Sequence, residues 1–165
     1  MDTIKVKAIV LSSIDYKEKD KLVTLFTIEN GVMQAIMKSV KSDKAKMRFA
    51  KEPFCFGEYL IAMPSKIITN VEVEDNFYVL TKDIDKFYLA CAILETVKTV
   101  VVAGEKNVEL FIETLKAIGA IAYGNVNDKY VLTKFLLSVF KGMGYTLSLN
   151  KCSTCGQPFS GKRYL

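Results

Sequence analysis

Over the first eighty residues, apolar positions recur in short runs with a period near two, as expected of strands buried on one face. Lys5-Val6-Lys7-Ala8-Ile9-Val10-Leu11 is rich in β-branched residues and partly alternates. A polar turn, Asp15 to Asp20, leads into Leu22-Val23-Thr24-Leu25-Phe26-Thr27. Asn30-Gly31 is a two-residue turn signal before Val32-Met33-Gln34-Ala35-Ile36-Met37, which predicts a hairpin. A basic stretch follows, then Phe54 to Ala62 and, beyond Pro64-Ser65, a fifth strand from about Ile67 to Val79. Five short strands with one longer connection between the third and fourth suit a small closed barrel of the OB type. A plain five-stranded sandwich would give nearly the same pattern.

Near residue 80 the period lengthens to that of a helix. Thr81 and Asp83 suit N-caps, and Ile84, Phe87, Tyr88, Cys91, Leu94, Lys98 and Val101 then fall three or four apart. A second helix, about 105–121, places Val108, Phe111, Ile112, Leu115 and Ile118 on one side. Asn127-Asp128 caps a third, with Val131, Leu132, Phe135, Leu136, Val139, Phe140 and Met143 at helical spacing and Gly142 and Gly144 as terminators. Each apolar stripe needs a cover, so the helices are expected to pack on one another and on the barrel. The expected fold is α+β. Residues 1–80 form a five-stranded OB-fold barrel, 81–150 a helical domain, and 151–165 the first half of a Cys-type knuckle.

Composition agrees with a packed core, since half of the 165 residues are hydrophobic and a quarter charged. No apolar run approaches the roughly 18–20 residues of a membrane span. The most apolar stretch, Leu89 to Ala103, is broken by Glu95 and Lys98. The start, Met-Asp-Thr-Ile-Lys-Val, lacks a signal-peptide core, so a cytoplasmic protein without membrane contact is expected.

Charge is where the chain departs from the ordinary. Lys38, Lys41, Lys44, Lys46, Arg48 and Lys51 stand against the single acid Asp43 between residues 38 and 51, giving that segment +5. The whole chain also carries +5, because the remainder holds 17 basic and 17 acidic residues. A solvated loop is the plain explanation. A polyanion site becomes the better one if the fold presents the segment beside a strand face.

Catalytic signals are missing. There is no histidine, hence no Ser-His or Cys-His pair and no His-ligated metal. The nine glycines form neither a Walker loop nor Gly-x-Gly-x-x-Gly. Glu18 and Asp20 flank a turn without any nucleophile or metal ligand near them in sequence, so a hydrogen-bonded turn is expected there and no enzyme. Cys152-Ser-Thr-Cys155-Gly156 has the outline of a metal knuckle, two thiols facing one ion with a glycine easing the turn. Neither Cys nor His follows Cys155, and Cys55 and Cys91 read as apolar filler, so zinc would find half its ligands. A redox dithiol is the rival explanation of the pair, though thioredoxin-like sites place it at a helix start after a strand.

Together these residues resemble the RecO family of bacterial recombination mediators, in order along essentially the whole chain. Lys7-Ala8-Ile9-Val10-Leu11 is similar to that family's first strand and Tyr16-Lys17-Glu18-Lys19-Asp20-Lys21-Leu22 to its Tyr-x-Glu-x-Asp-Lys turn. Leu25-Phe26-Thr27 with Gly31 resembles the next hairpin, Lys38 with Lys41 to Lys46 its basic loop, and Pro53-Phe54 the Pro-Phe that follows. Phe135-Leu136-Leu137, Gly144-Tyr145, Leu149 and Cys152-x-x-Cys155-Gly156 resemble its passage from helix to knuckle. Ser39 replaces the glycine usual after the loop lysine. The second Cys pair and longer helical C-terminal region of other members are not matched, so the chain reads as a member lacking the C-terminal part.

The resemblance implies an OB-fold domain, a helical domain and a zinc knuckle. The implied activity is binding of single- and double-stranded DNA, strand annealing, and help in loading RecA onto strands coated by single-stranded DNA-binding protein (SSB). The implied partners are RecR and the SSB C-terminal tail, with RecA engaged indirectly. Lys134 stands where the family often has a basic residue and is the candidate for that tail. Lys38, Lys41, Lys44, Lys46, Arg48 and Lys51 are the candidate phosphate contacts, with Phe49 the aromatic expected to stack on a base; Phe26, Phe54 and Tyr59 are expected in the core. Five lysines to one arginine suit sliding contacts more than fixed bidentate ones. Two other classes stay open, a scaffold whose basic loop binds an acidic protein and a thiol redox protein using Cys152 and Cys155.

Overall fold

A computed structural model describes residues 2–38, 49–145, 150–152 and 154–158. Strands β1 (Asp2–Tyr16), β2 (Asp20–Thr27), β3 (Gly31–Met37), β4 (Phe56–Met63) and β5 (Ile67–Asp75) close into a barrel in the order β1-β2-β3-β5-β4, with β4 returning to β1. β3 and β5 are the parallel pair, and the other neighbours run antiparallel. This is the OB-type barrel, and it excludes the open sandwich. β1 is far longer than its sequence signal. It pairs with β4 through Ile9 and with β2 from Ala8 onward, with a register shift between Val10 and Ser12 where the strand changes partner. The hairpin forms, but through three residues, 28–30, and not the expected two: Gly31 pairs with Thr27 as the first residue of β3, taking φ 60°, while the Thr27 hydroxyl accepts from the Asn30 amide at 2.9 Å.

Because side chains alternate along a strand, β1 serves two cores. Val6, Ala8 and Val10 point inside the barrel with Val23, Leu25, Met37, Tyr59 and Ile61. Ile9 and Leu11 point the other way, into a second core shared with Phe26, Phe54 and all three helices. Phe111 on the second helix sits between Phe26 and Phe56 of the barrel, ring centres 5.2 and 6.2 Å away.

Helices α1 (Ile84–Val100), α2 (Val108–Tyr123) and α3 (Asp128–Gly142) follow. Asp83 caps α1 by accepting from the Asp85 and Lys86 amides, Asn107 caps α2 from Leu110, and Asn127 caps α3 from Tyr130. Among the described residues, no helix is long and apolar enough to cross a membrane.

Two expectations need correction. The fifth strand ends at Asp75, not near Val79, because the Asp75 and Asn76 carboxyl and amide oxygens accept from the Phe77 and Tyr78 amides and turn the chain into a 3-10 segment, Tyr78–Lys82. The core stripe of α1 is Ala90, Ile93, Leu94 and Val97 with Phe87 beside it, whereas Ile84 and Tyr88 are exposed. The polar Lys98 was the sign of that phase error. Val108, Ile112, Phe140 and Met143 are likewise outward, and Thr114, Ala117, Ile121 and Ala122 complete the buried face of α2.

The barrel and helices are also fastened at their edges. Tyr123 of α2 donates to both carboxylate oxygens of Asp75 at 2.9 Å, and its ring lies 5.8 Å from Phe77. Burial first and the Asp75 carboxylate second push the Tyr123 phenol up to about 12. An unfolded tyrosine titrates near 10, so this contact contributes fully below pH ~10 and is lost as pH rises through the folded value. Tyr123→Phe is expected to cost about 1 kcal/mol at neutral pH, the site being open to solvent screening. Urea unfolding at pH 8 and pH 11 checks this: the parent should lose stability between the two, and the variant should lose less.

Candidate nucleic-acid interface

The basic segment leaves the barrel at the end of β3. Register places Lys21 opposite Met37, so Lys38 emerges beside the start of β2 and the β1–β2 turn. Lys38 is exposed. Residues 39–48 lie outside the described residues, and Lys41, Lys44, Lys46 and Arg48 with them. The chain is described again from Phe49, which is 50% exposed, as a stacking role requires. Phe26, Phe54 and Tyr59 are buried in the core.

The returning end of the segment is held firmly. Tyr59, buried in the barrel, donates its hydroxyl to the Ala50 carbonyl at 3.0 Å. The Phe54 amide donates to the Val10 carbonyl and the Val10 amide to that of Cys55, at 3.0 and 2.9 Å. Burial raises both the Tyr59 phenol and the Cys55 thiol, so both are neutral fixtures. Lys51 differs from the rest of its group: its side chain is only 13% exposed, with Nζ 3.7 Å from the Glu52 carboxylate. Of the three described members, Lys38 and Phe49 face solvent and Lys51 is turned inward.

The β1–β2 turn adds groups that sequence reasoning treated only as a turn. Lys17 (φ 56°) and Lys19 are exposed there, with Lys17 Nζ 5.4 Å from the Tyr16 ring centre. This loop lies on the end of the barrel that OB folds use for oligonucleotides. Its lysines were legible in the Tyr-x-Glu-x-Asp-Lys run, but nothing in their spacing told which end of the barrel they would share. Lys21 is paired with Asp15 at 3.4 Å.

On the outer wall of β1, β4 and β5 the lysines of β1 are already paired with carboxylates. Lys5 pairs with Glu58, and Lys7 with Glu74 at 2.8 Å while lying 5.6 Å from the Phe56 ring centre. Hydrogen bonding to these carboxylates raises both ammonium groups above their usual range. A phosphate would have to displace a carboxylate there, so the wall is a poor polyanion surface.

Lys134 is exposed on α3 beside a groove between α2 and α3. Ala117, Ala120, Val131 and Phe135 supply apolar lining, with Tyr130 and Lys116 at the rim; Lys116 Nζ is 3.1 Å from Glu113. The groove has a volume of about 300 Å³.

The Cys152–Gly156 turn has the backbone of a thiolate knuckle. The Cys152 amide donates to the Gln157 carbonyl at 2.9 Å, the Gly156 amide returns to Cys152 at 3.0 Å, and Gly156 takes φ 71°. Hydrogen bonds from the backbone at Cys155 and then Thr154 lower the Cys152 thiol below its usual range, as a metal-binding or reactive sulfur needs. Among the described residues, no group of three or more potential ligands gathers. Cys55 is buried in the barrel core and Cys91 is half-buried on α1, so neither completes this turn. The residues present fit half of a tetrahedral thiolate site.

Comparison with known proteins agrees on one family. The model for the N-terminal part of recombination protein O matches residues 1–77, and the model for its C-terminal part matches residues 81–165. A "DNA repair protein RecO" from Clostridium novyi (strain NT) is 31% identical over all of this chain, which spans 65% of that protein's length. One from Caldanaerobacter subterraneus subsp. tengcongensis is 34% identical over 95% of the chain and 64% of its own length. A third, from Desulforamulus reducens, is 31% identical over 94% of the chain and 61% of its length. The chain thus spans a little under two thirds of these relatives.

Proposed function

We propose that this chain, which belongs to the RecO family, acts in DNA repair as a DNA-binding recombination mediator. It holds and anneals single-stranded DNA, also binds duplex DNA, and assists RecA loading onto SSB-coated strands, without turnover chemistry of its own. The observation that carries this reading is the confinement of all excess positive charge to one segment whose described start, Lys38, is exposed at the oligonucleotide-binding end of an OB barrel. The carboxylate-lined β1/β4/β5 wall leaves that end as the preferred route for phosphates. Lysine-rich contact with the backbone needs no sequence readout, which suits pairing of arbitrary complementary strands. The deciding experiment is binding of a labelled oligonucleotide and annealing of a complementary pair at 50 and 200 mM salt. Binding and annealing that fade together with salt support the proposal; annealing no faster than the spontaneous reaction overturns it.

The α2–α3 groove supports a second element of this proposal, capture of the SSB C-terminal tail. An acidic tail with an apolar end needs a cation beside an apolar slot, and Lys134 above Val131 and Phe135 offers that pairing. Lys134→Glu should weaken a tail-peptide titration about tenfold or more, by removing one charge-assisted contact and adding a like charge. An unchanged titration would remove Lys134 from the site. RecR is proposed as a further partner on the family resemblance. Cys152 and Cys155 are proposed as two zinc ligands, the ion's contribution being to pin the knuckle by coordination.

A further inference from the structure

We propose that the groove between the end of the basic segment and the start of α1 takes a single unstacked nucleobase, with Phe49 and Tyr78 as its stacking walls. The inference rests on the DNA-binding reading above and deepens it, giving the stacking role expected of Phe49 a groove and a second wall.

The groove has a volume of about 320 Å³, at the lower end of the range of small-ligand sites. Its floor is aromatic: Phe54, Phe77 and Phe87 lie beneath, with Phe54 and Phe87 edge to face at 5.6 Å. Phe49 and Tyr78 stand at its mouth, 50% and 57% exposed. Two large rings left half in water beside a ready apolar slot lose hydration cost when a flat π-face enters.

Tyr78 is mounted to receive one. The Asn76 side-chain oxygen accepts from the Tyr78 amide at 3.1 Å, and the Thr81 hydroxyl donates to the Tyr78 carbonyl at 2.8 Å. These bonds fix the backbone that carries the ring. Asn76 and Thr81 also line the groove, so polar groups able to donate and accept stand beside the rings, as the edge of a base requires.

Charge selects the class of guest. Phe49 lies inside the +5 segment, directly after Arg48 in sequence. On the other wall Lys82 holds its Nζ 5.9 Å from the centre of the Tyr78 ring. A cation thus stands beside one ring, and the other adjoins basic residues in sequence, as suits a base linked through sugars to phosphates on each side. Single-stranded DNA has that chemistry, and a paired duplex, with its bases stacked away, does not.

The test compares a fifteen-nucleotide thymidine oligomer with an abasic oligomer of the same length and charge. The parent chain is expected to prefer the first, because stacking on an aromatic ring contributes about fivefold or more per base. Phe49→Ala and Tyr78→Ala, both at exposed positions, should each remove about fivefold of that preference while leaving abasic binding unchanged. A double variant that keeps the full preference overturns the base site. A parent that binds both oligomers equally also overturns it while sparing the phosphate reading, and a parent that binds neither overturns both. An acidic peptide that depends on the same two rings, with no oligomer preference, would assign the groove to a protein partner and overturn the proposal.

Discussion

Replacing Lys41, Lys44 and Lys46 together with glutamate is expected to weaken single-stranded DNA binding by about a hundredfold or more at 100 mM salt. The substitutions take segment 38–51 from +5 to −1, and the whole chain likewise from +5 to −1. The remaining basic and acidic residues are equal in number, so this segment holds all of the net excess charge. If all six cations of the parent met phosphates, the slope of log affinity against log salt would reach at most about −4 by the single-strand rule. The triple variant should lose most of that slope as well as the affinity. Lys51→Ala should do far less, because its side chain is turned inward toward Glu52. The measurement is a fluorescence-anisotropy titration at several salt concentrations, with circular dichroism to show that the fold persists. A triple variant that binds like the parent removes the segment from the interface. If its binding to an acidic protein, and not to DNA, is what disappears, the scaffold alternative takes its place.

Phe111→Ala should cost about 3–5 kcal/mol, a large part of the total stability of an ordinary domain. The ring is 1% exposed and touches Phe26 and Phe56, so its removal opens a cavity on the seam between α2 and the barrel. Ile9, Leu11, Phe26 and Phe54 of the barrel share one core with the helices. Both parts should therefore lose stability in a single transition. With no tryptophan in the chain, tyrosine fluorescence and far-ultraviolet circular dichroism are the probes for a urea titration. Coincident curves shifted to lower urea are the expected result. Two separated transitions, with the barrel's unmoved, would show that the seam is not shared.

Strands were legible where the local code was unambiguous. Asn30-Gly31 marked the hairpin but not its register, since Gly31 pairs with Thr27 across a three-residue connection, and the long gap after β3 marked the barrel's connection. The length of β1 was not legible, since its outer half is polar and gains strand form only from β2. The helix caps Asp83, Asn107 and Asn127 were within reach of sequence rules, and two of the three were identified. The phase of α1 was not, because apolar residues surround that helix and Ile84, Tyr88 and Cys91 fit one helical spacing as well as Ala90, Ile93 and Val97 fit another. Only packing against Ile9 and Phe54 decides between them. For the site, the sequence identified which residues are charged but not which way they turn: Lys38 points out and Lys51 in. Tyr78 escaped notice because it sits in a run that reads as strand until the Asn76 turn interrupts it.

One small contact sets the mechanical character of the whole molecule. Gly31, at the tip of the β2–β3 hairpin, forms a bridge with Ala103 in the α1–α2 connection, and the Gly104 amide donates to the Asn30 carbonyl at 3.1 Å. A side chain at Gly31 would strike the carbonyl oxygens of Glu105 and Val102, the latter at 2.8 Å. Backbone therefore touches backbone, with no flexible group between. Together with the Phe111 seam and the Tyr123 tie, this fastens the barrel to α2 and to the α1–α2 connection at three places. A nucleic acid on the barrel and a peptide in the α2–α3 groove would be kept at a set spacing, as on the two arms of a rigid caliper.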